Sequence, residues 1–207
     1  NAQALIFTIN SSDTRVDENW TASVIIGDGT INTTIQNYSL IINTTRPVLN
    51  SARLNTSDTD QTNRTDEDLT IYINATDQNS DTIKAHLRWF NNSAEVTPHT
   101  SITATMTDNV LTFGDTITST NTSKGQNWTV MVTIDDGTLN STPQNFSMII
   151  NTTVPTITSF VINTSSGTTN YTTENLTLWI NATDIDDDTI TASVRWFNES
   201  VTLNGDT

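Results

Sequence analysis

Two acidic segments of the chain carry oxygen-bearing side chains at every second position, a spacing that can bind a metal ion. Calcium prefers about six to eight oxygen ligands, and alternating carboxylates in one tight loop can supply several of them. The alternative is an ordinary solvated turn, which the absence of an EF-hand glycine and terminal glutamate favours. Apart from calcium, no metal or cofactor is expected. The candidate calcium ligands are Asp77, Asn79 and Asp81 and, in the second segment, Asp184, Asp186 and Asp188.

The most frequent motif is Asn-x-Ser/Thr, the acceptor sequence for N-linked glycans in exported proteins. It begins at 19 of the 25 asparagines, whereas random placement at this Ser and Thr content would give roughly 7 or 8. The alternative is that a biased genome favours Asn and Thr in turns and on surfaces. We expect an extracellular or cell-surface protein with N-linked glycans. The predicted acceptors are Asn10, Asn19, Asn32, Asn37, Asn43, Asn55, Asn63, Asn74, Asn91, Asn121, Asn127, Asn140, Asn145, Asn151, Asn163, Asn170, Asn175, Asn181 and Asn198.

Residues suited to catalysis are scarce in this chain. The only histidines are His86 and His99, and Ser193 replaces His86 in the internal repeat described below, so no general base recurs. Cysteine is absent, and no glycine-rich phosphate loop or zinc-ligand spacing occurs. The outward aromatic residues Tyr72 and Trp179 could stack on sugars, but packing across neighbouring strands is their commoner use. We predict that the protein is not an enzyme.

The overall charge narrows the range of partners. The formal net charge is −15 and the sequence pI is about 4.1, which repels nucleic acid and anionic membrane surfaces and attracts cations. The sequence contains no apolar run of about 18 residues that could span a membrane. Ser and Thr total 62 of the 207 residues, and lysine is rare. This composition disfavours helices and suits short strands with polar outer faces.

An internal repeat sets the domain organisation. Residues 68–77 recur at 175–184, and the Asp28-Gly-Thr turn recurs as Asp136-Gly-Thr. The two spacings agree to within one position. Pro47 and Pro155 close equivalent segments, so the distance between them along the chain marks the length of one repeating unit. We predict a complete domain at 48–155, the C-terminal half of a preceding domain at 1–47, and the N-terminal half of a following domain at 156–207.

Alternating apolar residues predict half-buried strands within each unit. Leu69, Ile71 and Ile73 alternate with polar or aromatic neighbours, and the same pattern recurs at 176–182. A second inward series at 83–89 ends at Trp89, which is expected to fill the core, and recurs at 190–196. A third inward series occupies 128–134. Together with a hairpin at Asp136-Gly137, this predicts about seven strands per unit, the number typical of an immunoglobulin-like β-sandwich. In that topology the first acidic loop lies at the same end as this hairpin and the incoming linker.

Three stretches of sequence carry a family resemblance. Trp89-Phe90-Asn91, the segment 121–130 and the segment 135–143 resemble the tandem immunoglobulin-like, or cadherin-like, repeats of archaeal and bacterial cell-surface glycoproteins. The resemblance implies tandem sandwiches without the disulfide of antibody domains. Such repeats serve as stalks, adhesins, surface-layer subunits and fibre subunits. The acidic, cysteine-free surface, dense in glycan acceptors, resembles archaeal proteins in particular.

These features predict a structural subunit of an extracellular glycosylated filament, stalk or surface layer. The alternative is an adhesin that recognises carbohydrate or protein through its loops, and a contiguous surface without glycans would favour it. Because neither terminal half can cover its own apolar face, we expect residues 156–207 of one copy to complete a sandwich with residues 1–47 of the next. Repetition of this contact would give a head-to-tail polymer of the protein with itself, as in donor-strand complementation. The link between copies could be covalent or non-covalent.

Overall fold

The structure, a computed structural model, describes residues 7–57, 62–103, 105–167, 170–199 and 201–202. This part of the chain is all-β, as predicted, with short 3-10 turns at Ser11–Asp13 and Ser119–Asn121 and no helix long and apolar enough to cross a membrane. The strands are β1 (Asn19–Val24), β2 (Gln36–Ile41), β3 (Val48–Thr56), β4 (Leu69–Thr76), β5 (Lys84–Asn91), β6 (Ala94–Ile102), β7 (Thr112–Ile117), β8 (Asn127–Asp135), β9 (Gln144–Ile149), β10 (Thr156–Thr164), β11 (Leu176–Thr183), β12 (Phe197–Asn198) and β13 (Val201–Thr202).

The central strands form two sheets. One has the order β3-β4-β7 and the other the order β6-β5-β8-β9. In the second sheet β5 pairs antiparallel with both β6 and β8. In β4, β5 and β8 buried residues alternate with more exposed ones, as in the strands of a β-sandwich.

The core follows the predicted alternation. Leu69, Ile71 and Ile73 on β4 are fully buried, whereas Tyr72 between them is exposed. Side chains on a strand point alternately to opposite faces, so one face of each sheet can be apolar throughout. The buried apolar residues are Leu49, Leu69, Ile71, Ile73, Ala75, Ile83, Ala85, Leu87, Trp89, Met106, Ile117, Trp128, Val130, Val132, Ile134 and Ile150.

Two tryptophans pack edge to face in this core. The ring centroids of Trp89 and Trp128 lie 6.4 Å apart with an interplanar angle of 71°, and both residues are almost completely buried. The indole Nε1 of Trp89 donates a hydrogen bond of 3.0 Å to Oδ2 of Asp115, so its one polar group is satisfied. Trp89 therefore fills the core as the sequence predicts.

The chain groups into two compact units. The first contains Asn1–Leu54, Thr70–Thr116 and Trp128–Ser147, and the second contains Asn55–Leu69, Ile117–Asn127 and Met148–Thr207. The boundaries predicted at Pro47 and Pro155 are not tested by this grouping and remain predictions.

The N-terminal segment is a two-stranded ribbon. Strands β1 and β2 pair antiparallel, with Trp20 opposite Leu40 and Ala22 opposite Tyr38. Most of their apolar side chains are exposed, and Tyr38 retains 77% of its accessible surface. A two-stranded ribbon has no second sheet to cover an apolar face, so these residues remain open to solvent.

The C-terminal segment has the same character. Strands β10 and β11 form a two-stranded antiparallel sheet, and Phe160 and Trp179 are each 68% exposed. Trp179 occupies the repeat position of Tyr72. In the sheet β3-β4-β7, Tyr72 packs edge to face on Phe113 of β7, at 6.0 Å between ring centroids.

The strand predicted at 190–196 is wrong for this structure. The equivalent segment of the first copy, 83–89, lies within β5 except for its first residue. In the second copy residues 190–196 form no strand, and the two-residue strand β12 that follows them pairs with β13. The two segments are identical at four of seven positions, and the replacement of Lys84 by Thr191 and of Leu87 by Val194 favours a strand in the second copy, so local propensity cannot explain the difference. Strand β5 is hydrogen-bonded on both sides, by β6 and β8. Within the described residues the second copy has no equivalent of β8, and Val194 is exposed.

Trp89 and Trp196 occupy equivalent positions of the repeat, so they allow a matched test of this dependence on neighbouring strands. Replacing Trp89 with Ala should destabilise the protein by about 3 to 5 kcal/mol, because it empties a packed core site. Replacing Trp196, which is only half-buried, should cost less than about 1 kcal/mol in a monomer. Urea denaturation followed by circular dichroism at low protein concentration measures both. Equal losses would contradict the description of the second copy.

Candidate functional site

The first acidic loop connects β4 to β5 and is organised around Asp77. Its Oδ1 accepts hydrogen bonds from the backbone N–H groups of Asn79, at 2.8 Å, and Asp81, at 3.2 Å. Ser80, between them, has a positive φ of 63°. The side chain of Asp77 thus holds a tight turn that directs Asn79 and Asp81 outward.

The connection between β2 and β3 binds to this loop. The Thr45 backbone N–H and hydroxyl donate to Oδ1 of Asn79 at 2.8 Å and 2.6 Å, and the Thr44 hydroxyl donates to Oδ2 of Asp81 at 2.8 Å. We call this set of four residues the first clasp. It ties the segment that leads into β3 to the loop that follows β4.

The second copy repeats this geometry. The Thr153 backbone N–H and hydroxyl both donate to Oδ2 of Asp186 at 2.6 Å, and the Thr152 hydroxyl donates to Oδ2 of Asp188 at 2.8 Å. Asp184 holds the turn through the N–H groups of Asp186 and Asp188, as Asp77 does in the first copy. We call Thr152, Thr153, Asp186 and Asp188 the second clasp.

Two further residues contact the carboxylates of the second clasp. Oδ1 of Asp186 accepts a hydrogen bond of 2.5 Å from the hydroxyl of Thr65, and Asp188 forms an ion pair with Lys124. Burial acts to raise the pKa of Asp186, but hydrogen bonds from Thr153, Thr65 and Thr152 outweigh it and lower the pKa to about 2. Asp186 therefore acts here as a hydrogen-bond acceptor whose two oxygens both have partners.

A third carboxylate joins the first acidic loop. Asp136 follows β8, and its Oδ1 accepts hydrogen bonds from the N–H groups of Thr138 and Leu139 at 2.7 Å and 2.6 Å. Asp77, Asp81 and Asp136 each offer one oxygen, and these atoms lie within 4.8 Å of one another. The sequence placed this hairpin near the loop but did not identify Asp136 as a ligand.

The three carboxylates differ in burial. Asp77 retains 4% of its accessible surface and Asp136 retains 8%, and Oδ2 of each is buried without a hydrogen-bond partner. Asp81 is half-buried. Asn79, predicted as a calcium ligand with Asp77 and Asp81, instead directs Oδ1 to the first clasp. In the second copy Asp184, Asp186 and Asp188 also approach within 4.8 Å, but Asp188 is exposed.

The predicted glycan acceptors all lie in the described residues, and none of them is buried. Asn55, Asn63, Asn74 and Asn91 are half-buried, and the other 15 are exposed. The acceptor motifs at Asn43 and Asn151 contain the clasp threonines, which are Thr44, Thr45, Thr152 and Thr153. These threonines therefore also have a structural role. Glycosylation itself remains a prediction.

The two histidines add no catalytic arrangement among the described side chains. Nε2 of His86 lies 3.0 Å from Oδ2 of Asp135 on the neighbouring strand. This hydrogen bond and one from the Gly137 N–H hold the pKa of Asp135 below its ordinary value. The side chain of His99 is not among those that the structure describes. His86 is thus a residue of β5 whose side chain contacts the neighbouring strand β8.

Comparison with protein-family models and with curated proteins found no match. Among solved structures, the chain is similar to domains d3–d4 of the extracellular region of rat CD45. The similarity has a TM-score of 0.44 and 12% sequence identity and covers 72% of each chain.

The two clasps make a mutational test possible. Asp186→Ala should expose the Thr153 amide and accelerate its hydrogen exchange by roughly 10- to 100-fold, because a hydrogen bond to a charged acceptor contributes about 1.5 to 3 kcal/mol. Asp186→Asn should retain most of the protection, because Asn79 makes the same two bonds in the first clasp. Exchange measured by NMR distinguishes them. Equal protection in the Ala variant and the unmodified protein would show that the clasp does not hold the segment.

The lowered pKa of Asp186 sets the pH range of the second clasp. A carboxyl whose pKa falls on folding stabilises the fold above its ordinary value of 3.8 and loses that contribution as the pH falls toward 2. Protection of the Thr153 amide, normalised to its intrinsic exchange rate, should therefore be constant from pH 7 to about 4 and decline below that. The Asp186→Asn variant should show no such decline. A midpoint above pH 4 in the unmodified protein would contradict the hydrogen-bond assignment.

Proposed function

We propose that the protein is a structural subunit of an extracellular glycosylated filament, stalk or surface layer, assembled head to tail from immunoglobulin-like domains. The observation that supports this most directly is the pair of ribbons with exposed apolar residues, β1–β2 and β10–β11. Exposed apolar strands of this size favour association with further strands. The proposal is that each ribbon is covered by the other ribbon of a neighbouring copy.

The repeat supplies matching parts for this assembly. By the spacing of the repeat, β10 and β11 correspond to β3 and β4, whereas β1 and β2 correspond to β8 and β9. In the central domain β8 pairs with β5, and Leu87 lies opposite Val132. The same register brings Val194 of one copy opposite Val24 of the next. Residues 190–196 would then gain the neighbour that they lack in the single chain.

Glycans fit this role because a filament exposes its surface to solvent along its whole length. The 15 exposed acceptors are spread over both terminal segments and the central domain. A sugar coat of this kind shields the backbone from proteases. The wide distribution of acceptors also favours a scaffold over an adhesin, whose binding surface must remain free of sugars.

Cysteine cross-linking tests the head-to-tail contact, because the natural chain contains no cysteine. A chain with Val24→Cys and Val194→Cys, oxidised with glutathione disulfide, should form a ladder of disulfide-linked multimers on a non-reducing denaturing gel. Directly opposed strand residues have Cβ atoms about 4.5 to 5.5 Å apart, within reach of a disulfide after small shifts. The control chain carries Val24→Cys and Thr177→Cys, since Thr177 lies on a strand of the opposite sheet. Monomers only, or equal ladders in both chains, would refute the proposed register.

Native material provides the test of glycosylation. The bare chain has a mass of 22.7 kDa, and we expect the intact mass to exceed this by the mass of glycans at most of the predicted acceptors. Intact mass spectrometry before and after chemical deglycosylation measures the difference. A native mass equal to that of the bare chain would exclude glycans on this segment.

A further inference from the structure

The outward face of the sheet β3-β4-β7 carries an aromatic pair that remains partly open to solvent. Tyr72 and Phe113 pack on each other, but Phe113 retains 55% of its accessible surface and Tyr72 retains 38%. Packing across the strands therefore leaves much of both rings in contact with water. Exposed aromatic surface is unfavourable in water and can bind a further apolar surface.

A predicted glycan acceptor lies beside this pair. Asn74 follows Tyr72 by two positions on β4, so the two side chains lie on the same face of the sheet, with their Cα atoms about 6 to 7 Å apart. The residues that flank them, Ile71, Ile73 and Ala75, are buried on the other face. A sugar ring attached to Asn74 can span the distance to the ring of Tyr72.

The hydrogen bonds of Asn74 turn its amide toward the aromatic pair. Oδ1 of Asn74 accepts a bond of 3.0 Å from Nδ2 of Asn50 on β3, and Oδ1 of Asn50 accepts one of 3.2 Å from the hydroxyl of Thr76. Strand β4 lies between β3 and β7. Nδ2 of Asn74, the atom that carries an N-linked glycan, is therefore turned away from β3 and toward the side of Phe113. Within the described part of the chain this Nδ2 donates no hydrogen bond.

Spacing along the sequence does not identify this arrangement by itself. An aromatic residue also precedes the acceptor Asn91 by two positions, but that residue, Trp89, is buried in the core and cannot contact a sugar. In the second copy Trp179 precedes Asn181 at the same spacing, and both residues are exposed. The structure thus places an exposed aromatic ring beside an acceptor at equivalent positions of β4 and β11.

We propose that Tyr72 and Phe113 form a platform for the first sugar of an N-linked glycan on Asn74, and that Trp179 forms the equivalent platform for Asn181. One face of a pyranose ring carries mainly C–H groups, which are attracted to the negative face of an aromatic ring. The contact also removes apolar surface from water. The glycan then stabilises the sheet that carries it. This inference rests on the glycosylation in the proposed function but not on the head-to-tail assembly.

Nuclear magnetic resonance of the glycosylated chain tests the contact directly. The first sugar on Asn74 should show nuclear Overhauser effects to the rings of Tyr72 and Phe113, and ring currents should shift its C–H signals upfield. The first sugar on Asn145 should show neither effect, because this exposed acceptor on β9 follows Pro143 at the same spacing instead of an aromatic residue. Equal chemical shifts at both sites, without contacts to either ring, would overturn the proposal.

A cycle of variants measures the contribution of the contact to stability. Asn74→Gln, Tyr72→Thr and the double variant are produced in a host that adds N-linked glycans and in a bacterial host that adds none. Asn74→Gln should lower the midpoint of thermal unfolding by roughly 4 to 8 °C more in the glycosylated chain than in the bare chain. Tyr72→Thr should remove this extra loss. The bare chains correct for the bond to Asn50 and show that each variant folds.

The matched control is Asn145→Gln, whose effect should not depend on Tyr72, and Trp179→Thr with Asn181→Gln forms the same cycle for the second platform. An extra loss at Asn74 that persists in the Tyr72→Thr chain would overturn the first platform. Glycans that mass spectrometry of peptides finds at other acceptors, but not at Asn74 or Asn181, would overturn both platforms and leave the glycosylated filament intact. Absence of glycans from every acceptor would overturn the platforms and the glycosylation together.

Discussion

A β-strand with one apolar side needs hydrogen-bonding neighbours at its edges and a second sheet over its apolar face, and this requirement governs the whole molecule. Strand β5 has both, and its Trp89 is completely buried. The equivalent segment at 190–196, identical at four of seven positions, has no such neighbours among the described residues and forms no strand. Equivalent segments therefore behave differently according to what lies beside them. The exposed ribbons and the proposed assembly follow from this dependence.

The acidic loops combine two separate tasks that their composition does not distinguish. In each loop the first aspartate holds the turn, and the third and fifth positions accept hydrogen bonds from a Thr-Thr segment. Asn79 and Asp186 perform the same task with different charges, which indicates that an oxygen acceptor, and not a negative charge, is what each clasp requires. Asp77 and Asp136 lie outside the first clasp, and Oδ2 of each is buried without a hydrogen-bond partner. The clasp thus ties the incoming segment to the loop.

The sequence was sufficient to predict the parts of the fold that depend on local periodicity. The alternation in β4 and β8, the buried Trp89 and the turn around Asp77 all follow from residue order. It was not sufficient for features that depend on distant residues. Asp136 was missed because burial and a missing hydrogen-bond partner are properties of the folded chain. The clasp threonines stand out in the sequence only as parts of glycan acceptor motifs, although the Asn-Thr-Thr-x-Pro segment repeated before β3 and β10 is a signal of a second role. The strand predicted at 190–196 is wrong because sequence propensity does not include the neighbouring strands that a strand needs.

The central claim is that the two terminal ribbons complete one another in the assembled protein. A density map of native particles at a resolution that traces side chains tests it most directly. The account predicts an uninterrupted row of equivalent sandwiches, in which residues 190–196 form a strand beside β1 of an adjoining copy and Trp196 is as buried as Trp89. A map in which β1–β2 and β10–β11 remain separate two-stranded ribbons, or in which 190–196 pairs with any other segment, would contradict it.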